Sequence, residues 1–588
     1  MAPKGALWTL LFLAANALAH GDDHEGKEMD MTDMGNPNNA TAPADSPMSY
    51  FAYQKHRGTI IAHIALMVIA WFFILPIGVM LSVARSRLAL PSQFVFLVVN
   101  AFGLLLAAVY NNQSPNLYDN NVHHKIGWIA TWVMVAEVMM GLLFAYSGQG
   151  KHSSASYERV AFLPVPAEAE DEPDSPDEYR WSGDSGQGTE RNSSSLHSRN
   201  SSPERGRRMS RPGDSTEFDE KPDNVMNGET PVARGFFKDL FLDNFLSRRV
   251  PGLLPKRALN IMAVIHTVIE RTILILGFIA IATGAVVYGG IFRGNNVFNG
   301  LAHFIKGGIF FWYGLLTLGR WMGCFADFGW AWNVKPSRAV VGRWKARVPS
   351  GEFTESFVIF LYGSTNVFLE HLAAWGQAWS AQDLEHVSIS IMFFGGGLCG
   401  MLVESRRVRD WMNTTIFSSS FGQAQTDGLP PQALEPPKTQ GVSLNPIPAL
   451  VILLLGMMMS SHHQSSMVST MVHSQWGMLL MGFSLARGVT YIILCLKPPT
   501  SLLPYRPPSE LIASFCLISG GLIFMLSTRD VVEAMEYYDL NAMAVFTVGV
   551  GFTSFVMAWE IIAISLKAWA TRKTDLNAPS TRFHQFRV

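Results

Sequence analysis

The chain of 588 residues is 48% hydrophobic and 15% charged, so it is too apolar and too sparsely charged for a string of soluble domains. Its net charge of -1 gives no electrostatic basis for capturing nucleic acid. No glycine-rich phosphate-cradling motif is present, and no soluble stretch is apolar enough to fold into a nucleotide-binding domain, which argues against ATP-driven transport. Residues 1–19 combine Lys4, an apolar core and the small-x-small end Ala17-Leu18-Ala19, and are expected to be a signal peptide. Residues 20–55 form a polar, His/Met/acidic lumenal tail without core-forming content, with Asn39-Ala40-Thr41 as a glycosylation acceptor.

Apolar runs of spanning length then recur. The expected fold is all-α, a polytopic transmembrane helical bundle of about eleven spans: 59–82, 93–110, 125–146, 258–288, 300–322, 356–376, 386–403, 447–462, 473–496, 510–527 and 542–567. Loop charge orients them. Arg85, Arg87, Arg338, Arg343, Lys345, Arg347, Arg406, Arg407, Arg409, Lys497 and Arg506 fall on one side, against little beyond Arg293 and Arg529 on the other. The positive-inside rule then puts the N-terminus outside or in the lumen and the C-terminus in the cytoplasm.

The spans divide into a three-span part, 56–146, and an eight-span part, 250–570, followed by a cytoplasmic tail, 571–588. Residues 147–233 between them are Ser-, Pro- and Arg-rich and cannot bury a core, so they are expected to be a disordered cytoplasmic linker. Arg207-Arg208-Met209-Ser210 and Ser202-Pro203 suit a cytosolic kinase, although an unregulated linker has the same composition. Residues 234–249 place Phe237, Leu240, Phe241 and Phe245 at helical spacing, as an interfacial amphipathic helix does. Cys324, Cys399, Cys495 and Cys516 lie in or at the cytoplasmic halves of spans, where no disulfide framework is expected.

The histidines carry the chemistry. Of 16, twelve fall in the lumenal tail, lumenal loops or lumenal ends of spans: His20, His24, His56, His63, His123, His124, His303, His371, His386, His462, His463 and His473. Imidazole is the commonest metal ligand and the usual axial ligand of haem b, so one-sided clustering points to metal chemistry at that face. His63 opens the first span and His124 the third, at similar depth, and the pair could hold one haem b between apolar walls such as Met67, Trp71 and Phe72. The plain alternative is a pair of interfacial histidines bonded to backbone or water.

A second group joins Glu370, His371, Asp383, Glu385, His386, His462, His463 and His473, a donor mixture that suits copper, iron or zinc. A hydrogen-bonded lid over the helix ends is the competing reading. His20 and His24, with the thioethers of Met29, Met31 and Met34, suit copper capture by the tail.

The first-span series His63, Leu66-Met67, Ala70-Trp71, Pro76-Ile77-Gly78 and Ala84-Arg85, with His124-Lys125-Ile126-Gly127 in the third span, resembles the cytochrome b561-type transmembrane reductases. In that superfamily the first and third spans clasp one haem and the second and fourth another. The resemblance implies His266 as a fourth-span ligand. The sequence departs from the pattern at Asn100, where a second-span histidine is expected, and at Ile64, where a glycine usually follows the first histidine.

From the signal peptide to the GGGLCGML, SSHHQSSMVSTMVHSQWG and LARGVTYIIL segments, the whole chain resembles the fungal Ytp-type family of polytopic membrane proteins. Together these readings lead us to expect a protein of the secretory pathway, in the vacuolar or plasma membrane. It would use a lumenal haem b in single-electron transfer to, or reduction of, copper or iron. Two alternatives remain open: a non-enzymatic transporter or metal-binding protein, with Glu270, Arg271, Lys306 and Glu560 pairing along a path, and a scaffold acting through its linker.

Overall fold

The computed structural model describes residues 49–146, 255–294, 296–366, 379, 381–420, 441–462 and 464–576. All belong to one compact unit; a second, Leu163–Thr230, lies outside the described residues. So do the signal peptide, the tail with His20, His24 and Asn39, the linker, the interfacial helix at 234–249, and Glu370, His371 and His463.

Among the described residues the regular structure is helical, as an apolar chain in lipid requires, because a helix satisfies its own backbone polar groups. In chain order the helices of nine residues or more are α1 (Arg57–Val83), α2 (Ala89–Gln113), α3 (Val122–Tyr146), α4 (Lys256–Gly289), α5 (Asn296–Met322), α6 (Gly351–Asn366), α7 (Ala381–Glu404), α8 (Arg406–Ser420), α9 (Ile447–Ser461), α10 (Met467–Leu496), α11 (Ser509–Leu526), α12 (Arg529–Tyr537) and α13 (Ala542–Leu576). Nine described helices are long and apolar enough to cross a membrane: α1 to α5, α7, α10, α11 and α13. Predicted span 447–462 appears as the 15-residue α9, and span 356–376 appears as α6, which stops where the described residues stop. The sequence reading did not anticipate two short amphipathic helices, α8 and α12, since neither is apolar enough to register as a span.

Helices α1 to α4 share a core of Ala70, Trp71, Leu75, Val79, Phe96, Ala130, Met134 and Ile273. Pro76 has no N–H to give the carbonyl of Phe72 four residues back. Trp559 of α13 supplies that donor at 3.0 Å, tying the last helix to the first. The α1 backbone is locally π-helical over Ile69–Ile74, just ahead of the proline.

The larger core is centred on Trp476, Leu480, Phe483, Leu517, Ile523 and Phe524. Helix α11 is its axis: 72% of its apolar window is buried, against 22–44% for the other spans. Their outward Val98, Phe102, Leu105, Ile129 and Trp132 form the surface that lipid covers. Small residues let the central helices meet backbone to backbone, the device that drives helix association where no hydrophobic effect separates lipid from protein. A Cβ on Gly307 of α5 would stand 2.6 Å from the carbonyl oxygen of Gly521 on α11.

Loops tie α1–α4 to α5 at one end of the bundle. The Tyr118 hydroxyl donates to the Ile291 carbonyl at 2.8 Å, and Arg293 donates to the Leu117 carbonyl at 2.9 Å while covering the Tyr118 ring. Burial raises the Tyr118 pKa above the ordinary tyrosine value, with Arg293 pulling it partly back, so the hydroxyl stays a donor. The four cysteines are free.

Replacing Gly307 by leucine forces α5 away from α11 and is expected to cost about 1–3 kcal/mol or more. Thermal unfolding of the detergent-solubilised protein measures the loss, and an unchanged midpoint contradicts this account of the α5–α11 contact.

Candidate functional site

Three polar constellations stand out within the bundle, and the first joins His63 to His123. His63 is buried on α1, with Nδ1 2.9 Å from the carbonyl of Gly103 on α2. His123, at the start of α3, has Nδ1 3.1 Å from the carbonyl of Ala280 on α4. A ring nitrogen held by a carbonyl must carry the proton, so in both rings Nε2 is the nitrogen with the lone pair. The ring centroids are 6.4 Å apart, with the planes at 69°. Gly284 lets the imidazole lie against α4, since a Cβ there would stand 3.0 Å from the His123 ring.

His124 is exposed, and its backbone N–H bonds to the Asn121 side chain. Successive helical residues point about 100° apart, so of two adjacent histidines only one can face α1. The structure therefore pairs His63 with His123 and not with His124.

His266 on α4 has Nε2 3.1 Å from Glu137 on α3, and Glu137 lines a small crevice with Gln93 and Glu270. Asn100 accepts from Trp71 Nε1 at 2.9 Å and donates to Thr131 at 3.2 Å. Each residue is thus engaged with its own neighbours.

The second constellation lies between α5 and α10. His303 and His473 each place Nδ1 on the carbonyl one turn back in their own helix, Asn299 at 2.9 Å and Ser469 at 2.8 Å. Their rings are 6.0 Å apart at 90°. Phe524 packs against His303 and stacks on Trp476 at 4.1 Å. Glu385 and His462 form a pair at 3.2 Å, with Glu385 largely exposed, and His386 is half-buried next to Glu385 in α7. Among the described residues no three His, Cys, Asp or Glu side chains converge closely enough to hold a metal ion.

The third constellation was missed in the sequence. Arg320 of α5 reaches Glu355 at 2.6 Å and Glu352 at 3.2 Å, both on α6. Arg487 of α10 reaches the same Glu355 at 3.2 Å and Glu510 of α11 at 2.7 Å. All five side chains are buried. Trp332, held with a positive φ of 52°, lies under both guanidiniums, 4.4 Å from Arg320 and 5.7 Å from Arg487. The segment 331–334 that carries it is itself pinned by backbone bonds between Val334 and Ser501 and between Tyr505 and Ala331.

The signal for this network was available as Arg487 inside the apolar run LARGVTYIIL, since a charge within a span needs a buried partner. Seventeen residues of α5 separate His303 from Arg320 and fourteen of α10 separate His473 from Arg487, about 25 and 21 Å of helix rise. The same two helices therefore carry imidazoles near one end and the ion network near the other.

The fold and its buried polar groups define a multi-pass helical membrane protein with an imidazole-bearing end and an ion-paired end. Residues 276–568 match the family described as "Protein YTP1-like, C-terminal", and residues 44–147 match a domain of unknown function. The chain is 34% identical to an uncharacterized membrane protein of Schizosaccharomyces pombe, over 91% of this chain and 99% of the relative. It is 44% identical to an uncharacterized membrane protein of Saccharomyces cerevisiae over 51% of this chain and 47% of the relative. It is also 23% identical to Protein YTP1 of the same yeast over 48% of this chain and 50% of the relative. The chain belongs to the YTP1-like family of membrane proteins. No solved structure matches it.

Replacing Arg487 by leucine strands Glu510 and removes one of the two cations on Glu355. Breaking a buried pair in this way costs about 3–5 kcal/mol. The expected result is a sharply lowered thermal midpoint and loss of a monodisperse peak, measured by fluorescence-detected size exclusion.

Proposed function

We propose that the chain is a redox-active membrane protein that binds one haem b between His63 and His123. It would pass single electrons to copper or iron gathered by the neighbouring histidines. One observation carries this reading: two imidazoles from different helices face each other at 6.4 Å, each with Nδ1 fixed on a backbone carbonyl. That is the outer-shell arrangement of metal-ligating histidine, which sets the tautomer and raises the basicity of Nε2. The donor set therefore fits, and the first-span resemblance to cytochrome b561-type reductases points the same way.

Haem bound there would supply one-electron chemistry. His63 and His123 would hold the iron, and the carbonyls of Gly103 and Ala280 would keep both rings oriented. His266 and Asn100, bonded to Glu137 and to Trp71 with Thr131, would be structural neighbours of this one site. The metal ion would be taken up by His20 and His24 of the tail and by the group of Glu370, His371, Glu385, His386, His462, His463 and His473. We place this face in the lumen of the secretory pathway or outside the cell. In that orientation Asn39 is glycosylated and Asn192 is not.

The test is a reduced-minus-oxidised optical spectrum with haem quantification on protein purified in mild detergent. Near-stoichiometric haem b is expected, lost in H63A and H123A and retained in H124A. A folded, colourless wild type, or H63A and H123A variants with full haem content, sinks the assignment.

A second reading, a non-enzymatic transporter, is favoured by α5 and α10, which join the His303–His473 pair to the buried ion network. Metal uptake into proteoliposomes that survives H63A and H123A but not H303A with H473A would select it.

A further inference from the structure

The buried ion network has an odd charge count. Its carboxyls are Glu352, Glu355 and Glu510, and its cations are Arg320 and Arg487. A guanidinium does not give up its proton in a protein. With all three carboxylates ionised, the cluster would carry one uncompensated negative charge where water is excluded, and a buried group in that position neutralises itself instead.

The remaining neighbours offer no compensation. Tyr313 on α5 and Tyr491 on α10 are neutral groups that face the cluster. Glu404 of α7 is held by Ser350 and Ser443. In the adjoining loop Lys345 is paired with Asp327 at 2.7 Å, and Lys335 donates to the Val348 carbonyl. Within the cluster both oxygens of Glu510, and Nε and Nη2 of Arg487, are buried without a hydrogen-bond partner, so the ion pairs leave polar atoms on both sides unmatched.

We propose that this cluster is a proton-binding site and that Glu352 is the carboxyl that carries the proton. Glu355 accepts from both arginines, and Glu510 lies 2.7 Å from Arg487 Nε. The nearest ion contact of Glu352, 3.2 Å, is the longest of the three carboxyls' and is made to a guanidinium whose short bond of 2.6 Å goes to Glu355. It also lies in the first turn of α6, next to the loop residues Pro349 and Ser350, so a proton has a short way to the aqueous edge. The site lies at the end of α5 and α10 away from His303 and His473, and the proposal does not depend on haem.

The experiment compares infrared spectra and thermal midpoints of the full-length protein with E352Q, E355Q and E510Q at neutral pH in detergent. Glutamine has the shape of a protonated glutamate. E352Q should therefore fold, keep its midpoint within about 2 °C, and remove one protonated-carboxyl band in the wild-type-minus-variant difference spectrum. E355Q and E510Q strand a buried guanidinium and should lower the midpoint by about 10 °C or more, or fail to fold. The proposal is overturned if the E352Q difference spectrum shows no such band. It is equally overturned if E352Q fails to fold or loses as much stability as E355Q, or if the band vanishes in E510Q instead.

Discussion

The structure depends on the cost of burying charge. Arg320 and Arg487 rise from two separate helices into the densest part of the bundle, and each would be ruinous alone. They are tolerable because Glu355 accepts from both, with Glu352 and Glu510 closing the two ends. The consequence is geometric. A chain Glu352–Arg320–Glu355–Arg487–Glu510 fixes α5, α6, α10 and α11 against one another at one end, and the backbone-to-backbone contact at Gly307 and Gly521 holds α5 to α11 further along. Apolar packing in lipid does not specify rotation or register well, whereas an ion network that loses several kcal/mol when broken does.

With α5 and α10 fixed at that end, their other ends are fixed too, and these carry His303 and His473. The N-terminal helices meet the bundle through the Trp559 bond to the Phe72 carbonyl and through the loop contacts of Tyr118 and Arg293. Their own polar pair, His63 and His123, repeats the arrangement of the other: two imidazoles from different helices, each anchored through Nδ1 by a carbonyl. The difference lies in the anchor. In the first pair the carbonyl comes from a neighbouring helix, so the ring position reports the packing of α1 to α4; in the second it comes from the same helix, one turn back. A site that must hold two rings at a set distance is better served by the first arrangement, since four helices would have to move to change it.

The spans were legible because bilayer thickness and internal hydrogen bonding leave little choice: a run of about 20 apolar residues must be a helix. Described helices occupy all eleven predicted intervals, with α9 short and α6 followed only in part. Arg320 and Arg487 differ from the loop arginines that orient the spans, because they sit inside the apolar runs themselves. A charge in a span announces that a partner exists but not which one, because the partners here lie up to 132 positions away along the chain.

The sequence by itself determined the helical membrane fold and the approximate intervals of the spans, which follow from hydropathy and bilayer thickness, and its motifs resembled those of the family. Tertiary structure alone decided which residues meet. His123 and not His124 faces His63, because two adjacent residues on a helix cannot point the same way and the packing of α3 against α1 and α4 selects one. His266 meets Glu137, Asn100 meets Trp71, and two arginines share one glutamate for the same reason: contact between helices is set by their rotation, which no local pattern encodes.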